Sequence, residues 1–139
     1  MRHTAASAGQ VRLRLADDLA RLGLARELVE DAALLVSELV GNAVRYAHPL
    51  PGDVLRVSWE YARGQLVLRV TDGGGRDQPQ IRDANPWDTR GRGLAIVDAI
   101  AVAWGVERIR NGAGRSSTIW AELRATPAGS ADPRRAPAS

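Results

Sequence analysis

"VSELVGNAVRYA", residues 36–47, is the stretch that decides how this chain folds. Apolar residues recur in it every three or four positions, the spacing of a buried helix face. The same turn carries an acid, Glu38, an amide, Asn42, and a glycine between them, Gly41. Residues three and four apart lie on one side of a helix, so Glu38, Asn42 and Arg45 form a polar stripe. That stripe is typical either of a solvated helix face or of a site that needs an acid beside an amide.

The rest of the chain predicts a two-layer arrangement. Apolar spacing of three and four indicates helices over residues 7–22, 26–47 and 94–103, and alternation indicates strands over 54–61, 65–72, 104–110 and 117–124. We expect residues 73–92 to form a long loop and residues 126–139 a disordered tail, with one domain over residues 1–125. The predicted fold is an α/β (α+β) two-layer sandwich, with the helices on one face of a mixed, mainly antiparallel sheet.

Composition excludes several classes of chemistry. The 139 residues include no cysteine and no lysine, which excludes disulfides, thiolate zinc sites, the lysine-containing phosphate loop and Schiff bases. The formal charge is only +3, and the arginines are interspersed with carboxylates, which disfavours a nucleic-acid binder. We expect His3 and His48 to be surface or turn residues.

No apolar run reaches the roughly 20 residues of a membrane span, and no signal peptide is recognisable, so we expect no membrane contact and a cytoplasmic protein.

The second strand ends in an unusual acid. Leu66, Leu68 and Val70 share the apolar row of this strand, and Asp72 is the next residue in that row. An acid in such a position either caps the turn that follows or accepts a hydrogen bond from a ligand, such as the amine of adenine. The three glycines at 73–75 would let a ligand approach the backbone closely.

A second glycine-rich stretch, "RGRGLAIVDAI" at residues 90–100, precedes the third predicted helix. Gly91 and Gly93 would stand just before that helix, where free N–H groups and the positive dipole end favour phosphate. The spacing does not match the dinucleotide fingerprint, because its third glycine would fall on Ile96. The same two glycines are also typical of an ordinary loop that leads into a helix.

Taken in order, these motifs resemble those of the GHKL group of ATPases, which includes gyrase and the histidine kinases and shares the Bergerat ATP-binding fold. "ELVGNA" is similar to the N box of the group, "DGGG" to its first glycine box, "GRGL" to its second, and "STIWAEL" to the end of its last strand. The resemblance spans residues 8–124. Within the group, the chain looks most like the anti-sigma-factor serine/threonine kinases and their actinobacterial relatives.

The resemblance implies roles for individual residues. Asn42 would ligate Mg²⁺ and Glu38 would be the general base, while Asp72 would read the adenine amine with Gly74 against the base. The remaining nucleotide contacts would come from Gly91, Arg92, Gly93, Leu94 and Thr118. Residues 76–90 would be the ATP lid. The chain departs from the family pattern at Arg76, where the first glycine box has a glycine, and in a first strand that is shortened or absent.

The resemblance leaves two functions open, both of which require ATP and Mg²⁺. One is a protein-serine kinase that binds a sigma factor and phosphorylates a small antagonist protein. The other is a non-catalytic module that binds a partner under the control of ATP. Glu38 together with Asn42 favours the kinase, whereas Arg76 favours the module. A sigma factor, an antagonist protein and a second copy of the chain are the candidate partners.

Overall fold

The computed structural model describes residues 1–74, 89–111 and 114–124, and of residues 89–94 and 111 it describes the backbone only. This part of the chain forms three helices and four strands. The helices are α1 (Ala6–Arg21), α2 (Arg26–Tyr46) and α3 (Thr89–Ile100). The strands are β1 (Arg56–Ala62), β2 (Gln65–Asp72), β3 (Ala103–Asn111) and β4 (Gly114–Arg124).

The four strands form one sheet in the order β1-β2-β4-β3, and each described pairing is antiparallel. The helices pack on one face of this sheet, so the predicted two-layer α/β sandwich is confirmed. The expectation of a mixed sheet is wrong for the described strands. Between β2 and β4 the chain passes through α3 and the edge strand β3. The strand β4 then lies between β2 and β3 and is antiparallel to both.

Alternation along the strands builds the core between the two layers. In β2, Leu66, Leu68 and Val70 point to the helices and are at most 1% exposed. They lie opposite apolar residues of β4, namely Leu123, Ala121 and Ile119. The helices add two apolar stripes, formed by Val11, Leu15 and Leu19 of α1 and by Leu28, Ala32, Leu35, Val36, Leu39, Val40 and Ala43 of α2. Removing this apolar surface from water is the main stabilising term of the fold.

Two of the turns use residues with a positive φ. Arg63 and Gly64 connect β1 to β2 with φ of 54° and 77°, which is the two-residue turn whose twist matches a right-handed hairpin. Gly23 follows α1 with φ of 76°, a left-handed conformation that ends helices and suits glycine.

The helix α3 begins earlier than predicted, at Thr89 instead of residue 94, and it ends at Ile100. Gly91 and Gly93 therefore lie inside its first turns and do not precede it. Each glycine costs about 1 kcal/mol relative to alanine inside a helix, and this local penalty misled the prediction. Tertiary packing outweighs it, because α3 packs against α2 and its Val97 is fully buried.

The N-terminus is tied to the sheet. Arg2 forms an antiparallel bridge with Val54, flanked by hydrogen bonds from the Leu55 N–H to the Met1 carbonyl oxygen at 2.8 Å and from the His3 N–H to the Asp53 carbonyl oxygen at 2.9 Å. The first strand of the family pattern is thus reduced to one bridge in this chain.

Two predicted segments, the lid over residues 76–90 and the tail over 126–139, fall almost wholly outside the described residues. Within those that are described, no helix has the length and hydropathy needed to cross a bilayer.

Two adjacent leucines of α2 test which face of the helix carries the stability. Leu35 is fully buried, whereas Leu34 is 38% exposed. We expect Leu35→Ala to lower the free energy of unfolding by about 2–5 kcal/mol, because it removes buried methyl groups and leaves a cavity. Leu34→Ala should lower it by less than about 1 kcal/mol. Urea unfolding of both variants measures the difference, and equal losses would contradict the packing described here.

Candidate functional site

Asp72 is the acid that ends the buried row of β2. It is only 5% exposed, and its Oδ1 accepts a hydrogen bond from the Gly74 N–H at 2.8 Å. Burial raises the pKa of the Asp72 carboxyl, while the Gly74 N–H and the nearby His3 and His48 rings act in the opposite direction. The structure thus combines the two alternatives from the sequence: Asp72 caps its turn with Oδ1 and is also a buried acceptor.

The segment after Asp72 is fixed to the end of α2. The Gly73 N–H donates to the His48 carbonyl oxygen at 2.8 Å, and the His48 N–H donates to the Gly74 carbonyl oxygen at 2.9 Å. A Cβ at residue 73 would overlap the Pro49 carbonyl oxygen, so only glycine allows this approach. Gly74 has φ of 87°, which also favours glycine. The two hydrogen bonds bring the strand end with Asp72 to the helix end with Asn42.

His3 lies at the same place, although the sequence gave no reason to expect it there. Its Nε2 is 3.0 Å from the Ala43 carbonyl oxygen, in the last turns of α2. A carbonyl oxygen only accepts, so Nε2 carries the proton in this contact. The ring is half-buried and contributes electrostatically to Asp72. The prediction of a surface histidine is confirmed for His48, which is exposed, and not for His3.

Asn42 is buried, which removes the solvated-face interpretation for this residue. It is 5% exposed, and its Oδ1 has no hydrogen-bond partner among the described residues. An unpaired buried acceptor costs about 1–3 kcal/mol, so the site suits a donor or a cation that approaches Oδ1. The described residues contain no cluster of three or more His, Asp or Glu side chains that could hold a metal. A single amide oxygen is nevertheless a suitable Mg²⁺ ligand, since this ion keeps several waters and shares its shell with phosphates.

Glu38 lies one helical turn before Asn42, in an open groove of about 290 Å³ between α1 and α2. Small residues leave space for the groove on this side, namely Ala8 and Gly9 of α1 and Ala5 just before it. Glu38 is half-buried and forms no ion pair within the described part of the chain.

Gly41 has a steric role beside this acid. The Arg45 guanidinium lies across it, since a Cβ at residue 41 would be 3.4 Å from both Nη atoms. The same guanidinium is 5.8 Å from the centre of the Tyr46 ring. The glycine that looked out of place in a helix thus lets Arg45 lie along the helix surface, on the wall of the groove that holds Glu38.

Thr118 is not brought together with Asp72. It points to the sheet face without helices, where its hydroxyl is 2.6 Å from the Thr71 hydroxyl. Its neighbour Ser117 is paired with Asp72 on the helix side, is 3% exposed, and has no partner for Oγ in the described structure. Sequence reasoning missed Ser117, although counting back by twos from Leu123 through Ala121 and Ile119 places it on the inner face.

The four residues of the second glycine box, Gly91, Arg92, Gly93 and Leu94, belong to the first turns of α3. The structure describes the backbone of these four residues and not their side chains. The first N–H groups of any helix lack an intrahelical partner, so the backbone at the start of α3 can still donate to an anion.

Asp72→Asn tests whether the buried charge opposes folding. The folded protein holds the Asp72 proton to higher pH than the unfolded chain does, because burial disfavours the charged form. The contribution of Asp72 to stability is therefore most favourable at a pH below the aspartate pKa of the unfolded chain. It is lost as the pH rises from that pKa through the raised pKa of the folded protein. We expect Asp72→Asn to remove this loss and to be at least as stable as the wild type at neutral pH.

Urea unfolding between about pH 3.5 and pH 7 measures this effect. Glu30→Gln, at an exposed position on α2, is the control and should follow the wild type over the whole range. A variant Asp72→Asn that is less stable than the wild type at neutral pH would contradict the interpretation.

One family of known domains matches most of the chain. The family model for the histidine kinase-like ATPase domain matches residues 1–119. No curated protein matches the chain. Among solved structures, the chain is similar to the histidine kinase AdeS of Acinetobacter baumannii at 20% identity and a TM-score of 0.45, over 69% of this chain and 46% of that one. The chain thus spans less than half the length of that kinase. On the family match over residues 1–119, the chain belongs to the histidine kinase-like ATPase domains.

Proposed function

We propose that this ATPase domain is a protein-serine/threonine kinase that phosphorylates an antagonist protein and, by doing so, controls the release of a sigma factor. It would act in the cytoplasm on transcription. Membership of the family indicates an ATP-binding regulatory protein. The transfer reaction, its protein partners and Mg²⁺ are the parts that we propose beyond that.

The observation that carries the proposal is the position of Glu38. Its carboxylate stands one helical turn from the buried amide of Asn42 and lines a groove that is open to solvent. A general base has to reach the proton that it removes, and an open groove admits a serine or threonine side chain of another protein. A domain that only binds nucleotide has no need of an acid in this position.

The remaining residues would contact different parts of the nucleotide. Asp72, with Ser117 opposite it, would offer a buried carboxylate and a hydroxyl to adenine. Asn42 Oδ1 would hold Mg²⁺, which neutralises phosphate charge when bound. Arg12 and Arg45, on the walls of the groove beside Glu38, would stabilise the negative charge that develops during transfer.

A non-catalytic module gated by ATP is the second candidate. The sequence feature that favours it is Arg76 in the first glycine box. Such a module would use Asp72 and Asn42 in the same way and would leave Glu38 without a chemical role. The two functions therefore share the nucleotide and differ at one carboxylate.

The buried carboxylate predicts selectivity for adenine. We expect ATP and ADP to bind at least about tenfold more tightly than GTP, because the guanine carbonyl would face Asp72 and leave two acceptors unpaired, at about 1–3 kcal/mol. Calorimetry measures the three affinities. Ser117→Ala should weaken ATP binding, whereas Thr118→Ala should not, since Thr118 lies on the other face of the sheet. Equal affinities for ATP and GTP would contradict the role of Asp72.

The role of Glu38 can be separated from binding with one substitution. Glu38→Gln preserves the shape and helix propensity of the side chain and leaves Asn42 and Asp72 in place. We expect affinity for Mg-ATP to stay within a few-fold, while phosphoryl transfer and ATP hydrolysis fall by about 10²–10⁴-fold. Calorimetry and the release or transfer of labelled phosphate measure the two effects.

Glu30→Gln is the matched control, because it removes an exposed carboxylate from the same helix. It should change neither binding nor turnover. Equal turnover by wild type and Glu38→Gln would exclude Glu38 as the base. ATP binding by the wild type without hydrolysis, and without transfer to any candidate antagonist, would favour the gated module.

A further inference from the structure

The strand β1 is an edge of the described sheet, with β2 as its neighbour on one side. The two strands pair in continuous register from Arg56–Thr71 to Ala62–Gln65, so β1 has no bulge, and its sequence has no proline. Its charged residues, Arg56 and Glu60, lie on the face away from the helices. Bulges, prolines and inward-pointing charges are the devices with which proteins protect such an edge. Without them, β1 is a template on which another strand can pair.

The N-terminal bridge shows which backbone groups of this edge point outward. The Leu55 N–H, just before β1, donates to the Met1 carbonyl oxygen at 2.8 Å, on the side away from β2. Backbone groups point to the same side at every second residue of a strand. The N–H and carbonyl groups of Val57, Trp59 and Tyr61 therefore point outward as well. Within the described structure they have no backbone partner on that side.

An apolar groove of about 320 Å³ runs beside this edge, between β1 and α1. Its apolar lining includes Val11 of α1 and Val57 and Trp59 of β1, and both β1 side chains are only half-buried. The Trp59 Nε1 donates to Asp18 Oδ2 at 2.6 Å, which fixes the indole in the wall of the groove. A strand laid along β1 would place every second side chain over the groove. Alternate residues of such a strand therefore have to be apolar.

The charges around the groove are all of one sign. Its charged lining residues are Arg14 of α1 and Arg56 of β1, both exposed, and neither forms an ion pair in the described part of the chain. The nearby Asp18 already accepts the hydrogen bond from Trp59. A strand that carries carboxylates is thus complementary to this edge, whereas a basic strand would be repelled.

We propose that the outer edge of β1 is the docking site for an extended, acidic segment of a partner protein, which adds to the sheet as a further strand. Backbone groups of the segment pair with those of Val57, Trp59 and Tyr61. Its apolar residues, at every second position, cover the groove, and its carboxylates pair with Arg14 and Arg56. The site lies outside the candidate nucleotide site and does not depend on phosphoryl transfer.

A synthetic peptide tests the chemistry of this edge. The probe is a fluorescently labelled peptide of about ten residues, the upper range of strand lengths, in which valine and glutamate alternate. We expect the wild type to bind it saturably, with a Kd below about 1 mM by fluorescence anisotropy. The same peptide with arginine in place of glutamate should bind at least about tenfold more weakly, because Arg14 and Arg56 repel it.

Two substitutions at one position separate backbone pairing from side-chain contact. Val57→Pro removes an outward N–H and leaves the hydrogen bonds to β2 intact, which is where an edge strand tolerates proline. Val57→Ala also loses the valine side chain but keeps the N–H. We expect Val57→Pro to bind the acidic peptide at least about tenfold more weakly than Val57→Ala does.

Charge is tested with the double variant Arg14→Glu/Arg56→Glu, which should weaken binding at least about tenfold. Arg26→Glu, at an exposed position on α2, is the control and should bind as the wild type does. Thermal unfolding of each variant checks that it is folded. Amide hydrogen exchange locates the peptide, since the N–H groups of Val57, Trp59 and Tyr61 should exchange at least about tenfold more slowly in the complex.

Four results would overturn the proposal. They are equal binding by folded Val57→Pro and Val57→Ala, equal binding of the acidic and basic peptides, and no saturable binding by the wild type up to about 1 mM. The fourth is protection of the same N–H groups by self-association of the protein without peptide, which would assign the edge to a second copy.

Discussion

Two backbone hydrogen bonds join the ends of the two layers that carry Asp72 and Asn42, and the geometry of the candidate site depends on them. Gly73 and Gly74, after β2, exchange N–H and carbonyl contacts with His48, just after α2. A backbone pair of this kind sets the height and angle at which the strand meets the helix, because neither element can slide without breaking both bonds. Asp72 and Asn42 are fixed relative to each other by this pair and not by any contact between their own side chains.

The buried polar atoms of the site lower the stability of the fold. Asp72, Asn42 and Ser117 are each at most 5% exposed, and two of them have no partner for an oxygen atom within the described structure. Each unpaired acceptor opposes folding by about 1–3 kcal/mol. The leucine core next to them offsets that penalty, since burying one such side chain contributes about 1.5–3 kcal/mol. A ligand that supplies donors or a cation would recover part of that penalty, which is why these atoms indicate a binding site more strongly than any cavity does.

Most of the fold could be predicted from the sequence, because long apolar periodicities leave few alternatives. The helix α2, the row from Leu66 to Asp72 and the turn at Arg63–Gly64 all follow from local rules. The start of α3 did not, because its glycines argue locally for a loop and only packing against α2 decides otherwise. His3 could not be predicted either: forty residues separate it from Ala43, and no periodicity connects a terminal bridge to a distant helix. Asn42 lies on the polar stripe of α2, and local spacing cannot decide whether such a stripe faces solvent or a buried site.

The position of Thr118 has a different explanation, and it concerns the two faces of the sheet. The strand β4 presents Ser117 to the layer of helices and Thr118 to the open face, because neighbours in a strand point in opposite directions. A sequence motif alone does not say which of the two residues faces the helices, whereas the register against Asp72 does. The same alternation holds along the whole strand. Ser117 and Ile119 face the layer of helices, whereas Thr118 and Trp120 face the open side of the sheet. In this strand a shift of one residue therefore moves a side chain from the buried layer to the open face.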